Sequence, residues 1–271
     1  MITDVLTALL VVAVIGVIAG VLLALASHFF HVEEDEKVKN IRQVLPGANC
    51  GACGFAGCDS YAEAVAAGKA EPNLCIPGAG DVASKLSEIL GVEVAAGEAS
   101  VAFVSCNGSC KATSEKVIYD GIKSCAAAKM IYGGPSSCVY GCIGCGDCAQ
   151  VCPVDAIRIC DNLAHIDPEI CICCGKCARV CPKKIIKKVP KSATTAVMCS
   201  NTEKGAAARK NCKNACIGCK KCQLNCPEKA ITVVNNLAVV DYSKCTGCGI
   251  CIDNCPTKCL KKTDFVNGRI G

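Results

Sequence analysis

Cysteines at fixed spacing are the residues of this chain best suited to chemistry. Four segments read Cys-x2-Cys-x2-Cys-x3-Cys-Pro. They are Cys142, Cys145, Cys148 and Cys152 before Pro153; Cys171, Cys174, Cys177 and Cys181 before Pro182; Cys216, Cys219, Cys222 and Cys226 before Pro227; and Cys245, Cys248, Cys251 and Cys255 before Pro256. Three thiolates on one tight loop can cap three irons of a [4Fe–4S] cube, and the fourth, beside the proline that ends the loop, reaches the neighbouring cube. The expected sets are therefore Cys142, Cys145, Cys148 with Cys181; Cys171, Cys174, Cys177 with Cys152; Cys216, Cys219, Cys222 with Cys255; and Cys245, Cys248, Cys251 with Cys226.

A fifth set precedes these four. Cys50, Cys53 and Cys58 lie on a Gly-rich loop whose glycines allow positive φ and a close wrap around a cube, and Cys75 closes the shell after a helical stretch at 59–68. A structural zinc site would more often show two separated Cys-x-x-Cys pairs. The 3 + 1 pattern favours a [4Fe–4S] cluster.

Adding 74 to each of the first eight motif positions lands on a cysteine of the second eight, so two bacterial-ferredoxin-like units stand in tandem. Short alternating stretches at 155–159 and 163–166, and again at 229–233 and 237–240, predict small hairpins. Nine cysteines remain outside the five sets. The same shift carries Cys125 to Cys199 and Cys138 to Cys212. A sixth cluster could use a local group (Cys106, Cys110, Cys125, Cys138) or a cross-repeat group (Cys125, Cys138, Cys199, Cys212); buried free thiols are the alternative. Cys160, Cys173 and Cys259 are expected to be unliganded.

The elements that must carry these loops begin with an apolar run from Val5 to Ala26, about 22 residues and long enough to cross a bilayer core of roughly 30 Å. A secretory signal would start with a basic region, and Met1-Ile2-Thr3-Asp4 has none. Lys37, Lys39 and Arg42 follow the span with no Lys or Arg before it, which places the body of the protein in the cytoplasm. The expected layout is a transmembrane helix (1–27), a solvated helical neck (28–44), a four-cysteine domain with connector (45–99) and two ferredoxin-like halves (100–190 and 191–271). The fold class is α+β: an N-terminal transmembrane helix, a small closed [4Fe–4S] domain, then tandem ferredoxin-like β-α-β repeats.

Composition agrees. The chain has 29 cysteines in 271 residues, no Trp and 4% aromatics, so ligand bonds must replace much of an apolar core. A reducing compartment argues against disulfides. His28, His31 and His165 are too scattered for a haem or non-haem iron site, and His28 and His31 suit a membrane interface. No Walker loop, dinucleotide fingerprint or nucleophile–base pair is present, so the chain has no substrate-converting site of its own. Lys183, Lys184, Lys187, Lys188 and Lys191 form a basic patch in a chain of net charge +5. It reads as a solvated loop, or as a dock for an acidic electron carrier or anionic lipid. Without an aromatic platform it does not read as a nucleic-acid site.

The stretch from Leu45 through Cys50, Cys53 and Cys58 to Ala62, behind a single span and ahead of tandem ferredoxin motifs, resembles the B subunit of the Rnf electron-transport complex over essentially the whole chain. The cysteine sets call for five [4Fe–4S] clusters and allow six, and the resemblance implies that the chain is the electron relay of a membrane complex. That complex would oxidise reduced ferredoxin, pass electrons through other Rnf subunits to NAD+ or another acceptor, and couple the drop to Na+ or H+ movement. A tethered polyferredoxin serving a hydrogenase or other oxidoreductase, and a non-redox structural cluster or zinc protein acting as an assembly platform, are the competing readings.

Overall fold

The computed structural model describes residues 2–29, 35–95 and 97–270. The segment Leu9–Ala26 of the first helix, α1 (Ile2–Phe29), is apolar around its whole circumference, with a mean hydropathy of 3.1 and none of it buried against protein. A helix apolar on every side with no packing partner needs apolar surroundings, and this one is long enough to cross a membrane. His28 lies in its last turn, whereas His31 is outside the described residues.

Helix α2 (Glu36–Val44) starts where Asp35 accepts from the Lys37 amide at 2.9 Å, a side-chain N-cap. It is not wholly solvated. Ile41 is fully buried, packed with Leu45 and with Tyr61, Val65 and Leu86 of α3 (Cys58–Ala66) and α4 (Ala79–Leu90). Arg42 pairs with Asp59 across the same interface. The helix thus folds onto the four-cysteine domain, because its single apolar stripe finds a partner there. α4 stops at Gly91, whose φ of +67° suits a left-handed C-cap.

Next come β1 (Ser100–Val104), α5 (Cys125–Met130), α6 (Asp147–Gln150), β2 (Ile157–Cys160), β3 (Leu163–Ile166), α7 (Lys176–Val180) and β4 (Ile186–Pro190). β2 and β3 form an antiparallel hairpin with Ile157 opposite Ile166. β1 pairs with β4, Val101 opposite Val189, so the first strand and the last bracket this segment. The pattern then recurs with β5 (Thr195–Val197), α8 (Gly205–Asn211), α9 (Lys221–Leu224), β6 (Ile231–Val234), β7 (Leu237–Val240), α10 (Ile250–Asp253), β8 (Leu260–Asp264) and β9 (Arg269–Ile270). β6 pairs with β7, and β5 with β8.

Each bracketed segment has a small core in which cysteines take many of the places usually held by large side chains. The segments also share a core: Phe103 of the first lies 6.1 Å, centroid to centroid, from the fully buried Phe265 of the second, amid Val101, Val189 and Ala196. Burying Phe265 contributes about 2–3 kcal/mol. The seam between the segments is therefore a packed interface.

Candidate metal centres

Each of the four Cys-x2-Cys-x2-Cys loops turns through two positive-φ positions, the second and fourth residues after its first cysteine. Those positions hold Gly144 and Gly146, Cys173 and Gly175, Gly218 and Lys220, and Gly247 and Gly249, with φ between +53° and +91°. The second of each pair precedes a short helix (α6, α7, α9 or α10) that begins before the third cysteine. At Gly144 a Cβ would lie 2.6 Å from the Asn162 carbonyl oxygen in the turn of the β2–β3 hairpin, so the loop sits hard against that hairpin. The left-handed turns bend the chain so that the three cysteines face inward.

The cysteines converge on cavities. One of about 330 Å³ is lined by Cys50, Cys53, Cys58 and Cys75. Another of about 330 Å³ is lined by Cys245, Cys248 and Cys251 with Cys226 from the preceding motif. A third, about 310 Å³, brings Cys216, Cys219 and Cys222 to Cys255 of the following motif. A fourth, about 350 Å³, is lined by Cys142, Cys148 and Cys181, joined by Cys125. Cys171, Cys174 and Cys152 lie close enough to Cys177 to act on its thiol electrostatically. Among the described residues no three Cys, His, Asp or Glu side chains converge as a single metal ion requires. Tetrahedral zinc, with Zn–S near 2.3 Å, needs sulfurs about 3.8 Å apart. Four motif cysteines per set, the fourth drawn from the neighbouring motif, suit a polynuclear cluster.

Electrostatics point the same way. Burial pushes the thiols of Cys148 and Cys106 up to about 12, and those of Cys177, Cys222 and Cys251 up to about 11. Such buried sulfurs become thiolates readily only beside a compensating cation, which iron would supply. Amides point at other motif sulfurs: Ala156 donates to Cys152 Sγ and Ala230 to Cys226 Sγ, each at 3.3 Å, and Cys173 donates to Cys171 Sγ at 3.4 Å.

The cysteines outside the motifs separate into distinct places. Cys110 and Cys160 are exposed. Cys125 is pinned at the start of α5, where its amide and the Ser124 hydroxyl donate to Asp147 at 2.8 and 2.9 Å. There it faces Cys145, whose thiol burial and then the Cys125 sulfur push up to about 11. Cys106, Cys138, Cys199 and Cys212 instead line a cavity of about 360 Å³ at the seam. This foursome matches neither group expected from the sequence: Cys110 and Cys125 stay away from it, and Cys106 and Cys138 meet Cys199 and Cys212. Cys173 is buried at a left-handed position, and Cys259 reaches the wall of the Cys216 cavity. Cys259 Sγ is 3.6 Å from Cys255 Sγ. Contact with Cys259 holds the Cys216 and Cys255 thiols low, and Cys259 is itself held firmly protonated.

The basic patch also divides. Lys183 is half-buried, donates to the carbonyls of Gly133 and Val139, and is held below its ordinary value first by burial. It is a structural tie. Lys184, Lys187 and Lys188 are exposed.

Paired four-cysteine loops on ferredoxin-like units, behind an apolar helix, define an iron–sulfur protein of the polyferredoxin class. Residues 45–77 match an Fe-S cluster family, and residues 141–185 and 208–256 each match a 4Fe-4S dicluster domain. The chain is similar to the B subunit of the Na+-translocating ferredoxin:NAD+ oxidoreductase complex of Acetobacterium woodii, 42% identical over 235 residues that cover 86% of this chain and 71% of that one. It is 46% identical over 237 residues to the B subunit of the proton-translocating ferredoxin:NAD+ oxidoreductase complex of Clostridium ljungdahlii, covering 87% of this chain and 84% of the relative. The B subunit of the ion-translocating oxidoreductase complex of Methanosarcina acetivorans is 37% identical over 149 residues, 55% of this chain and 56% of its own. The chain belongs to the family of Rnf-complex B subunits.

Proposed function

We propose that this chain is the iron–sulfur electron-transfer subunit of a membrane-bound Rnf complex, accepting electrons from reduced ferredoxin and relaying them to membrane partners for NAD+ reduction coupled to Na+ or H+ translocation. The observation that carries the reading is the convergence of motif cysteines on separate hollows, with Cys226, Cys255 and Cys181 each arriving from the neighbouring motif.

Five four-thiolate sets would hold [4Fe–4S] clusters: Cys50, Cys53, Cys58, Cys75; Cys142, Cys145, Cys148, Cys181; Cys171, Cys174, Cys177, Cys152; Cys216, Cys219, Cys222, Cys255; and Cys245, Cys248, Cys251, Cys226. Each cluster supplies a one-electron couple. The residues around them bury the sulfurs, direct amides at them and fix the spacing between sites. Segments 100–190 and 191–271 act as tandem ferredoxin-like repeats, and 35–44 belongs with the domain at 45–99. Lys37 and Lys39 after α1 favour a cytoplasmic body on one span. Exposed Lys184, Lys187 and Lys188, close in sequence to Cys181, offer an acidic ferredoxin a steering surface.

Purified without oxygen, the full chain should be brown and carry at least about 20 iron and 20 acid-labile sulfide, as five cubes require. Bound zinc with little sulfide would overturn the proposal.

A further inference from the structure

Two sulfurs on opposite sides of the seam are held alike. Cys106 lies two residues beyond β1, and Cys199 two residues beyond β5. Cys106 Sγ accepts from the amides of Gly108 and Cys142, each at 3.4 Å. Cys199 Sγ accepts from those of Asn201 at 3.4 Å and Cys216 at 3.3 Å. Each sulfur thus takes the amide two residues on and the amide of the first cysteine in its own segment's first motif. Amides aimed at sulfur favour the thiolate.

Between them lies the 360 Å³ cavity, completed by Cys138 and Cys212 and as large as the hollows lined by the motif cysteines. No side chain divides it where glycines stand. A methyl group at Gly108 would be 3.4 Å from Cys106 Sγ and 3.5 Å from Cys212 Sγ, and one at Gly141 would be 3.6 Å from Cys106 Sγ and 3.7 Å from Cys138 Sγ. Asn201 Nδ2 approaches Cys138 Sγ at 3.7 Å across the seam. The walls contain no Lys, Arg or His, so only a bound cation could balance four thiolates there.

The seam itself is locked in register. The buried Ser105 hydroxyl donates to the carbonyls of Val197 and Cys199 at 2.8 and 2.9 Å, and Ser200 Oγ returns a bond to the Ser105 carbonyl at 2.9 Å.

We propose that Cys106, Cys138, Cys199 and Cys212 form a sixth [4Fe–4S] site, shared by the two segments. It rests on the iron–sulfur reading above and adds a role for the seam: the site touches the first-motif loop of each segment through the Cys142 and Cys216 amides, so it links the cluster sites of one segment to those of the other.

The test is iron, sulfide and zinc analysis of the anaerobically purified full chain, with spin counting after full reduction. The wild type should hold about 24 iron and 24 sulfide, and Cys138→Ala and Cys212→Ala should each lose about four of both, whereas Cys110→Ala and Cys160→Ala lose none. A wild type with about 20 of each and five spins would overturn the sixth site and leave the relay standing, even if the variants did not fold. A wild-type count of 24 unmoved in folded Cys138→Ala and Cys212→Ala would also overturn it. Zinc in place of iron would overturn the relay as well.

Discussion

Arg179 of α7 donates from Nη2 to the Cys50 carbonyl at 2.9 Å, which joins the loop of the first cysteine set to the helix that carries Cys177. The set next to the apolar helix α1 in sequence therefore lies against the second motif of the first bracketed segment.

Arg179→Ala should loosen this contact by about 0.5–1 kcal/mol, since the side chain is exposed and the bond is a single one. Hydrogen exchange at 47–55 should rise while iron content stays unchanged. Unaltered exchange there would show that the contact does not hold the loop.

Exchange of the fourth ligand between motifs gives a sharper outcome. Cys152→Ala should impair the cluster whose other ligands are Cys171, Cys174 and Cys177, and spare the one served by Cys142, Cys145, Cys148 and Cys181. EPR of the reduced variant separates the two, and damage confined to the Cys142 set would refute the pairing.

Cys259→Ala removes a thiol 3.6 Å from Cys255 Sγ, whose single S–H can bond to the Cys255 or the Cys216 sulfur. Such bonds stabilise the more negative, reduced state, so one cluster potential should fall by roughly 20–60 mV with the iron count unchanged. A redox titration in which no potential moves would rule out this tuning.

Lys220 occupies the left-handed slot, at φ +60°, that Gly146, Gly175 and Gly249 fill in the other loops. A left-handed non-glycine costs about 1–2 kcal/mol, and glycine adds chain entropy worth about 0.5–1 kcal/mol, so Lys220→Gly should stabilise by roughly 0.5–1 kcal/mol. Anaerobic thermal bleaching should shift upward, and a lower midpoint would contradict the strain assignment.

The local features were legible in the sequence because their causes are local. Loop spacing, the prolines and the alternation at 163–166 and 237–240 all act within a few residues, and β3 and β7 appear where that alternation predicts them. Longer-range relations were hidden. β4 carries Lys187 and Lys188 and resembles a solvated loop until β1, far away in the chain, pairs with it. The match between Cys106 and Cys199 was masked because their separation of 93 residues exceeds the 74-residue repeat by the 19 residues inserted after β1. The repeat pointed to Cys125 instead, which Asp147 holds at the first motif. Lys183 looked like its neighbours in sequence, and only the fold places the Gly133 and Val139 carbonyls around it.

The most direct measurement is an anaerobic titration of the purified full chain with chemically reduced ferredoxin, followed by integrated EPR. The account predicts rapid uptake of several electrons per chain, up to about five or six as the clusters allow, slowed at low salt when Lys184, Lys187 and Lys188 are changed to Glu. A chain that carries its full iron yet takes no electrons from ferredoxin would contradict the relay.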